Sequence, residues 1–496
     1  MSKDKSIKKG SILHGWFEPD PGQPLHGQLH LSGSSTRLRL HDEAEIGVPD
    51  RLVHVRGVTA DGIKVTCVDC LRTGYGHTMR AHHLDLFPHY LLTGDEHLEV
   101  ESEQVRRITF TSTDMTSIFY DFDAFGTVIR PEPLMDSVLE GARKYRPVAV
   151  GEWPQVSYFT GRLTIIEVPT AMGLIRVSHA PTFGSGGPSG VSIKNQIRVG
   201  IEPDAPITFH EALRRLAVLR RFLSLAAGRP QRPIDVTIAT DSGRDAAETR
   251  PLQLHWSYPP KRSKGTLRRP SPGDLPLDPI RYPDEFKDVL QRWVAKDEAM
   301  KTARSRFTTC LEKSSYTVDR LVAAANMFDL LPADEVPVAR ELPSDVAMIR
   351  DAALASLAEL PDTEDRHSAM IALKMLGKPS LTKKVRYRWE ASANGLESIF
   401  PDLDFVLVRA IRCRNHFVHG PSKSFKFERA EPFVPFLTDA LEFVFAFSDL
   451  VASGWTTHRW ATTPYGDGHL FTRFRWGYKD TLAAFQASMA GNTLDP

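Results

Sequence analysis

The spacing of apolar residues changes along this chain at a stretch rich in Pro, Gly, Lys and Arg, residues 259–276. Before it, residues 11–202 alternate short apolar runs with Gly, Pro, Asn and Asp, which is the pattern of antiparallel β-strands. After it, apolar residues recur at helical spacing almost throughout. Apolar residues that recur every second position line one face of a strand, and those that recur about every 3.6 positions line one face of a helix. The chain is therefore restricted to an α+β multidomain fold, with a β-rich half followed by an all-α helical bundle.

The predicted domain bounds follow from this change. They are a β-rich N-terminal domain (1–205), an α/β extension of it (206–258), a Pro-rich basic linker (259–279), a helical domain (280–452) and an aromatic and basic C-terminal tail (453–496).

The same patterns predict the individual elements. The expected strands are Ser11–Phe17, Gln28–Leu31, Thr36–Leu40, Gly62–Val68, Val105–Ser112, Val156–Val168, Met172–Ala180, Val191–Glu202, Ile234–Ala239 and Leu252–Tyr258. The expected helices are 208–228, opened by a capping box at Thr208–Glu211, then Pro283–Lys296, Ser315–Leu330, Ser344–Leu360, Asp365–Leu376, a segment within 379–400, 402–420 and Phe433–Val451. The Gly-rich segment 183–190 is expected to be a hairpin loop, since it lacks the ending of a phosphate-binding loop.

Composition limits where a nucleic-acid site can lie and where the protein works. Lysine and arginine (62) nearly equal aspartate and glutamate (61), so no global basic field exists and any RNA site must be local. Between Lys378 and Arg429 there are 11 basic and 5 acidic residues. The start of the chain lacks an apolar signal region, its apolar runs are too short to span a bilayer, and four cysteines make no disulfide framework. We therefore expect a cytoplasmic protein with no membrane partner.

The expected helix 402–420 carries the most specific pattern, Arg-Asn-x-x-x-His, formed by Arg414, Asn415 and His419. At about 100° per residue, one sector of this helix holds a polar stripe and the opposite sector packs. The stripe contains Arg409, Arg412, Asn415, His416 and His419, and the packing side contains Leu403, Leu407, Ile411 and Val418. Arg414 lies on the flank of the apolar side, where a permanent charge is costly unless it meets an anion or a partner.

These residue types can cleave RNA without a metal ion or other cofactor. A histidine titrates near neutral pH and can move a proton, and a guanidinium can hold a phosphate through paired hydrogen bonds. The alternative is structural: His419 caps the helix C-terminus, where positive charge is favoured, and the arginines form a solvated face. Spacing alone leaves both open.

The motif near a helix end, followed by Gly420 and a long apolar helix, resembles the HEPN superfamily of nucleic-acid-cleaving and nucleotide-binding helical domains, over about residues 280–452. The segments 9–17, 27–31 and 62–66, together with Cys70, resemble the N-terminal domain of ApeA-type anti-phage proteins, which carry a C-terminal HEPN domain. The resemblance implies a ribonuclease that halts growth of an infected cell. It assigns catalysis to Arg414 and His419.

Other roles and partners are expected from the same motif. Asn415 is expected to orient the catalytic pair, and Arg412, His416 and Arg409 are expected to bind substrate. The expected partners are RNA (tRNA or mRNA), a phage-derived trigger and a second copy of the chain, because one motif helix offers a single acid/base histidine where cleavage needs two proton-transfer groups. The alternative function is a non-catalytic RNA- or nucleotide-binding scaffold.

Two further segments leave alternatives open. Cys67 and Cys70, with His77, His82 and His83, have the ligand types of a zinc site, but ordinary packing explains the cysteines as well. In the tail, residues 455–478 interleave arginines with aromatic residues. They could stack on unpaired bases or pack as an irregular tail on the bundle.

Overall fold

The computed structural model describes residues 10–20, 22–47, 53–78, 81–184, 187–188, 190–241, 251–260, 268–421, 425–463 and 466–491. The chain forms two compact units. The N-terminal unit consists of residues 1–226, 231–262 and 277–294, and the helical unit consists of residues 227–230, 263–276 and 295–496. The predicted α+β class, with a β-rich half before an all-helical region, is confirmed. The five domain bounds stay a prediction, and most of the basic cluster in the predicted linker lies outside the described residues.

The N-terminal unit is built mainly from antiparallel strands. Its strands are β1 Ile12–Glu18, β2 Leu25–His30, β3 Arg37–Asp42, β4 Val53–Thr59, β5 Lys64–Thr78, β6 Ala81–Gly94, β7 Val105–Thr111, β8 Phe125–Ile129, β9 Gln155–Phe159, β10 Thr164–Thr170, β11 Gly173–His179, β12 Thr182–Gly184, β13 Ser192–Lys194, β14 Ile197–Glu202, β15 Ile234–Thr240 and β16 Leu252–Trp256. The predicted hairpin around the Gly-rich segment is confirmed by the pairing of β12 with β13.

Six of these strands close into a barrel in the order β6-β3-β2-β1-β4-β5, because β5 also pairs with β6. Its interior is filled by Phe17, Leu40, Val55 and Leu84 with their buried neighbours. Phe17 is accommodated by Gly57, where an added Cβ would lie 2.2 Å from the Phe17 ring. From β6 the sheet continues away from the barrel in the order β16-β15-β7-β14-β11-β10.

Four helices accompany these strands: α1 Met115–Ile118, α2 Glu132–Arg143, α3 Phe209–Ala227 and α4 Pro283–Ala295. The last residues of α3 and α4 belong to the helical unit. The Thr208 hydroxyl caps α3 by accepting from the Glu211 backbone N–H. Phe222 of α3 packs against Phe286 and Trp293 of α4, which joins the two helices.

The helical unit contains α5 Asp297–Leu311, α6 Val318–Asn326, α7 Ser344–Ala358, α8 Glu364–Lys374, α9 Leu381–Glu390, α10 Leu403–His419, α11 Phe427–Ala430, α12 Val434–Ala452, α13 Thr457–Thr462 and α14 Leu470–Ala490. Helix α12 is its centre, since 15 of its 19 residues are buried. It packs against α5, α6, α9, α10 and α14. The long apolar helix that follows the motif therefore packs on the motif helix α10, and its apolar side chains are largely buried within one chain.

Several predicted bounds are wrong. The segment predicted as one strand, Val156–Val168, is two strands, β9 and β10, and Val191–Glu202 is β13 and β14. The tail is not irregular, because it forms α13 and α14. In the described part of the predicted linker, Asp274 is buried and Pro276 accepts a hydrogen bond from Trp455 Nε1 at 2.9 Å, so this part is packed.

No helix in the described part of the chain is long and apolar enough to cross a membrane.

Candidate functional site

Helix α10 carries the motif at the end that leaves the core. Val406, Leu407, Ala410 and Ile411 are buried, and the burial of this face continues as far as Cys413. The helix packs there against α6, α9 and α12. Beyond Cys413 the last turn emerges into solvent, and Asn415 and His419 are exposed. The prediction that Val418 lies on the packing side is wrong, since its side chain is 44% exposed. The motif is therefore presented on an exposed turn of a rigidly packed helix.

Arg414 is the centre of the group. Its Nη1 donates to Asn415 Oδ1 at 3.1 Å and lies 3.2 Å from His419 Nε2. Its Nη2 donates to Asn326 Oδ1 at 3.0 Å. The structure thus brings together the three motif residues, Arg414, Asn415 and His419, and one Nη2 hydrogen remains for another acceptor.

The contact between Arg414 and His419 sets the direction of their hydrogen bond. Arginine can only donate, so His419 Nε2 is the accepting atom. A nitrogen that accepts a hydrogen bond with its lone pair can also accept a proton. In the described part of the chain, the His419 ring contacts the motif arginine and not a helix carbonyl.

Asn326, the last residue of α6, is a member of the site that the sequence analysis did not identify. Its amide oxygen fixes the far side of the Arg414 guanidinium, opposite the contacts to Asn415 and His419. It lies 88 positions from Arg414 along the chain. A single amide at a helix end carries no local signal, so only the packing of α6 on α10 reveals it.

Two other predicted site residues lie apart from this group. The Arg409 guanidinium lies over the Phe405 ring at 3.4 Å and donates to the Phe405 carbonyl, so it points back along the helix. Burial, and then the charge of Arg412, lower the pKa of Arg409. Arg412 is exposed on the same face as His419, two turns earlier and about 10 Å away along the axis. Their substrate-binding roles stay predictions.

His416 is turned away from Arg414 and His419. Its ring stacks on Phe427 of α11, with centroids 4.6 Å apart and planes at 13°. Its Nδ1 is buried without a hydrogen-bond partner among the described residues, as are Nε of Arg409 and Nε of Arg414. Within one chain, His416 therefore does not join His419 as a second acid/base group.

The excess of basic residues between Lys378 and Arg429 is partly neutralised by carboxylates outside this range. Lys384 pairs with Asp329 at 3.0 Å, and buried Arg388 pairs with Glu335. In the described part of the chain, Arg409, Arg412 and Arg414 have no carboxylate within ion-pair distance. Three arginines without a carboxylate partner in the described residues therefore lie on α10.

The zinc alternative is not supported by the geometry. Cys67 and Cys70 lie within β5, not at its end as expected, and both are buried in the barrel core. His77 pairs with His82 at the far end of the same hairpin, seven residues beyond Cys70 and about 23 Å along the strand. Among the described residues, no group of three or more His, Cys, Asp or Glu side chains could hold a metal ion. The cysteines pack, as the alternative proposed.

The aromatic residues of the tail pack on the bundle rather than forming a base-stacking surface. Phe400 stacks on Phe474 and lies edge-on to Tyr478, and Trp460 is buried. Arg475 donates to the carbonyls of Trp460 and Ala461, at 3.0 and 2.9 Å. Trp476, in contrast, is 68% exposed.

The two units define a class of protein: a closed β-barrel with an extended antiparallel sheet, joined to a helical bundle that exposes an Arg-Asn-x-x-x-His turn. The profile of a family described as ApeA N-terminal domain 1 matches residues 13–293, which is more than half of the chain. The chain belongs to this family and is an ApeA-family anti-phage protein. No curated protein and no solved structure matches it.

Proposed function

We propose that this chain is a metal-independent HEPN endoribonuclease that acts in anti-phage defence by abortive infection, with the N-terminal half sensing or restraining the nuclease in the cytoplasm. The observation that carries the proposal is the contact between Arg414 Nη1 and His419 Nε2 at 3.2 Å on an exposed helix turn. An arginine can bind a phosphate and the neighbouring imidazole can accept a proton, and RNA cleavage uses both functions.

The geometry supports one sequence of steps. An RNA phosphate binds the Arg414 guanidinium, which releases the lone pair of His419 Nε2. That nitrogen accepts the proton of the 2′-hydroxyl, and the 2′-oxygen forms a bond to the adjacent phosphorus. The bond from phosphorus to the 5′-oxygen breaks, and the leaving oxygen takes a proton from an acid. The products are a 2′,3′-cyclic phosphate and a 5′-hydroxyl, while Arg414 stabilises the charge on the phosphate in the transition state.

The acid is supplied by a second copy of the chain. One chain exposes one imidazole at this turn, because His416 is stacked on Phe427. A shared cleft between two α10 helices would place a second His419 near the leaving oxygen. Self-complementary contacts of this kind are what a two-fold interface provides.

The direct experiment incubates the purified protein with total RNA and with single-stranded DNA in EDTA. We expect RNA to be cut to fragments with 2′,3′-cyclic phosphate and 5′-hydroxyl ends, and DNA to survive because it lacks the attacking hydroxyl. His419→Ala and Arg414→Ala should each lower the cleavage rate at least about 100-fold, the scale of a lost acid/base or oxyanion-stabilising group. His458→Ala is the control, since His458 is an exposed histidine of the same unit that lies on α13.

The outcomes separate the two function classes. Wild-type rates in folded His419→Ala protein would contradict the proposal. Tight RNA binding without cleavage by the wild type would instead support the scaffold alternative. Activity that EDTA removes and magnesium restores would require a metal-dependent mechanism. Phage plaque counts on cells expressing the same variants test whether defence depends on the cleavage.

A further inference from the structure

A row of aromatic and imidazole side chains crosses the outer face of the barrel. Trp16 of β1 lies opposite His26 of β2, His26 opposite His41 of β3, His41 opposite His83 of β6, and His83 opposite Gly76 of β5. Residues directly opposite on antiparallel strands share one face of the sheet. The four rings therefore form one continuous line over four neighbouring strands, which we call the ring row.

Two neighbouring pairs of rings lie close together along the row. Trp16 and His26 meet edge to face with centroids 5.6 Å apart, and His41 and His83 lie 6.4 Å apart. At the end of the row the His83 ring lies over Gly76, where an added Cβ would be 2.3 Å from the imidazole. Gly76 thus leaves room for a ring to lie against bare backbone.

The ring row does not contribute to the core. On the same strands the inward positions are Phe17, Leu40 and Leu84, which are fully buried, whereas Trp16 is 59% exposed. A large apolar ring on the outside of a barrel whose interior is already filled stays in contact with water and contributes little to folding stability. Its position is better explained by a ligand that stacks on it.

Two arginines lie beside the ring row. The next two rows on the same face contain His14, Arg39 and Asp85, then His30 and Arg37. Arg39 is held by Asp85 through two hydrogen bonds, at 2.7 and 2.6 Å, so its guanidinium is fixed on the face. Arg37 lies 4.0 Å from the same carboxylate, so the two guanidinium charges exceed the one carboxylate charge. Burial, and then the charge of Arg39, lower the pKa of His41, whereas the charge of Asp85 raises it.

We infer that the ring row is a binding site for single-stranded RNA, with unpaired bases stacking on Trp16 and the imidazoles and phosphates meeting the flanking arginines. Neighbouring strands are about 4.8 Å apart, so the row from Trp16 to His83 is about 14 Å long and accommodates two or three bases. A duplex hides its base faces, so the row selects single strands. The inference does not rest on the proposed cleavage, because the row belongs to the N-terminal unit.

The test measures anisotropy of a fluorescein-labelled 12-nucleotide single-stranded RNA of mixed sequence. All proteins carry His419→Ala, so that the probe stays intact whether or not the wild type cleaves RNA. We expect Trp16→Ala to weaken binding about 10-fold, the usual effect of removing one stacked base contact. Trp16→Phe keeps a ring and should retain most of the affinity. Trp153→Ala is the control, since Trp153 is an equally exposed tryptophan (64%) of the same unit that lies outside the row.

The controls make each result decisive. Circular dichroism and thermal melting establish that the variants are folded, which is expected because Trp16 is on the surface. Loss of affinity in Trp16→Ala but not in Trp16→Phe or Trp153→Ala supports the site. Equal affinities of the Trp16→Ala and Trp153→Ala proteins would overturn it, as would no RNA binding at all.

Discussion

At the scale of single residues, the site depends on how one guanidinium is held. Arg414 has partners on both sides: His419 and Asn415 from its own helix, and Asn326 from α6. Its Nε is buried without a partner in the described residues. An arginine fixed in this way loses little freedom when a phosphate binds, which is the condition for a preorganised site.

The first prediction concerns Asn326. Replacing Asn326 with Ala removes the hydrogen bond to Arg414 Nη2, so the guanidinium can leave its catalytic position. We expect the cleavage rate to fall about 10-fold, through kcat more than KM, with an intact fold. Asn326→Asp, which keeps an acceptor at that position, should retain more activity than Asn326→Ala. The exposed Asn394→Ala is the control. Equal kcat values for Asn326→Ala and Asn394→Ala would remove Asn326 from the site.

The second prediction is a pH dependence in the N-terminal unit. Burial lowers the pKa of His255 from 6.5 to about 4, and its Nε2 lies 3.1 Å from Thr93 Oγ1. Between about pH 6.5 and pH 4 the unfolded chain therefore binds more protons than the native one. The stability that is present above about pH 6.5 is therefore lost as the pH falls towards 4, by roughly 1–3 kcal/mol.

Urea denaturation at pH 7.5 and pH 4.5 tests this dependence. His255→Gln keeps a polar group near Thr93 but cannot be protonated, so the loss of unfolding free energy between the two pH values should be smaller than in the wild type. An unchanged difference would mean that His255 is not the group responsible.

At the scale of elements, the helical unit is fixed by buried ion pairs on its central helix. Arg304 of α5 donates to both carboxylate oxygens of Asp449, each at 2.9 Å, and Arg320 of α6 does the same to Glu442, at 2.7 and 2.8 Å. These pairs satisfy charges that would otherwise be costly inside the bundle. They also set the position of α6, and with it that of Asn326.

The third prediction follows from this arrangement. Asp449→Ala leaves the buried Arg304 without its main partner, so the unfolding free energy of the helical unit should fall by about 3–5 kcal/mol. The matched control is Asp351→Ala, which removes the exposed pair of Arg350 and Asp351 on α7 and should cost no more than about 1 kcal/mol. Chemical denaturation of the three proteins measures the difference. Similar losses in both variants would contradict a special role for the buried pair.

At the scale of the whole molecule, the proposed nuclease requires an assembly. The apolar side chains of α12 are used within one chain, whereas α7 and α8 have no buried residue. Met348, Ile349 and Ile371 on these two helices are each more than 60% exposed. Apolar surface for association is therefore present in the helical unit, but on α7 and α8 rather than on α12.

The fourth prediction concerns a shared cleft. Adding an excess of His419→Ala protein to a fixed amount of wild type should lower RNA cleavage, because wild-type chains enter mixed dimers that have one His419 where the shared cleft needs two. RNA is kept in large excess, so that competition for substrate does not explain the loss. Light scattering gives the mass of the active species. Full activity from a monomer, or a cleavage rate unchanged by the added variant, would contradict the shared cleft.

Local pattern by itself determined the fold class and the motif helix. The alternation in β1, β3 and β11 and the helical period of α3, α10 and α12 appear in contiguous residues, so the sequence predicted these elements. The Arg-Asn-x-x-x-His spacing also lies within one helix, whereas the contact between Arg414 and His419 was seen only in the structure, where Asn326 of α6 also holds the guanidinium. The resemblance of the N-terminal half to ApeA-type proteins was also visible in short contiguous segments.

Only the tertiary structure decided the features that depend on distant residues. Strand β6 was not predicted, because it pairs with β3 and β5 in the barrel and with β16 beyond it, and its buried face changes along its length. Helix α5 was not predicted because its buried face includes charged residues, Asp297 and Arg304. Barrel closure, the ring row and the position of Asn326 share the same cause. Each requires segments far apart in sequence to meet, and the free energy that joins them comes from burying both partners together, which no local pattern records.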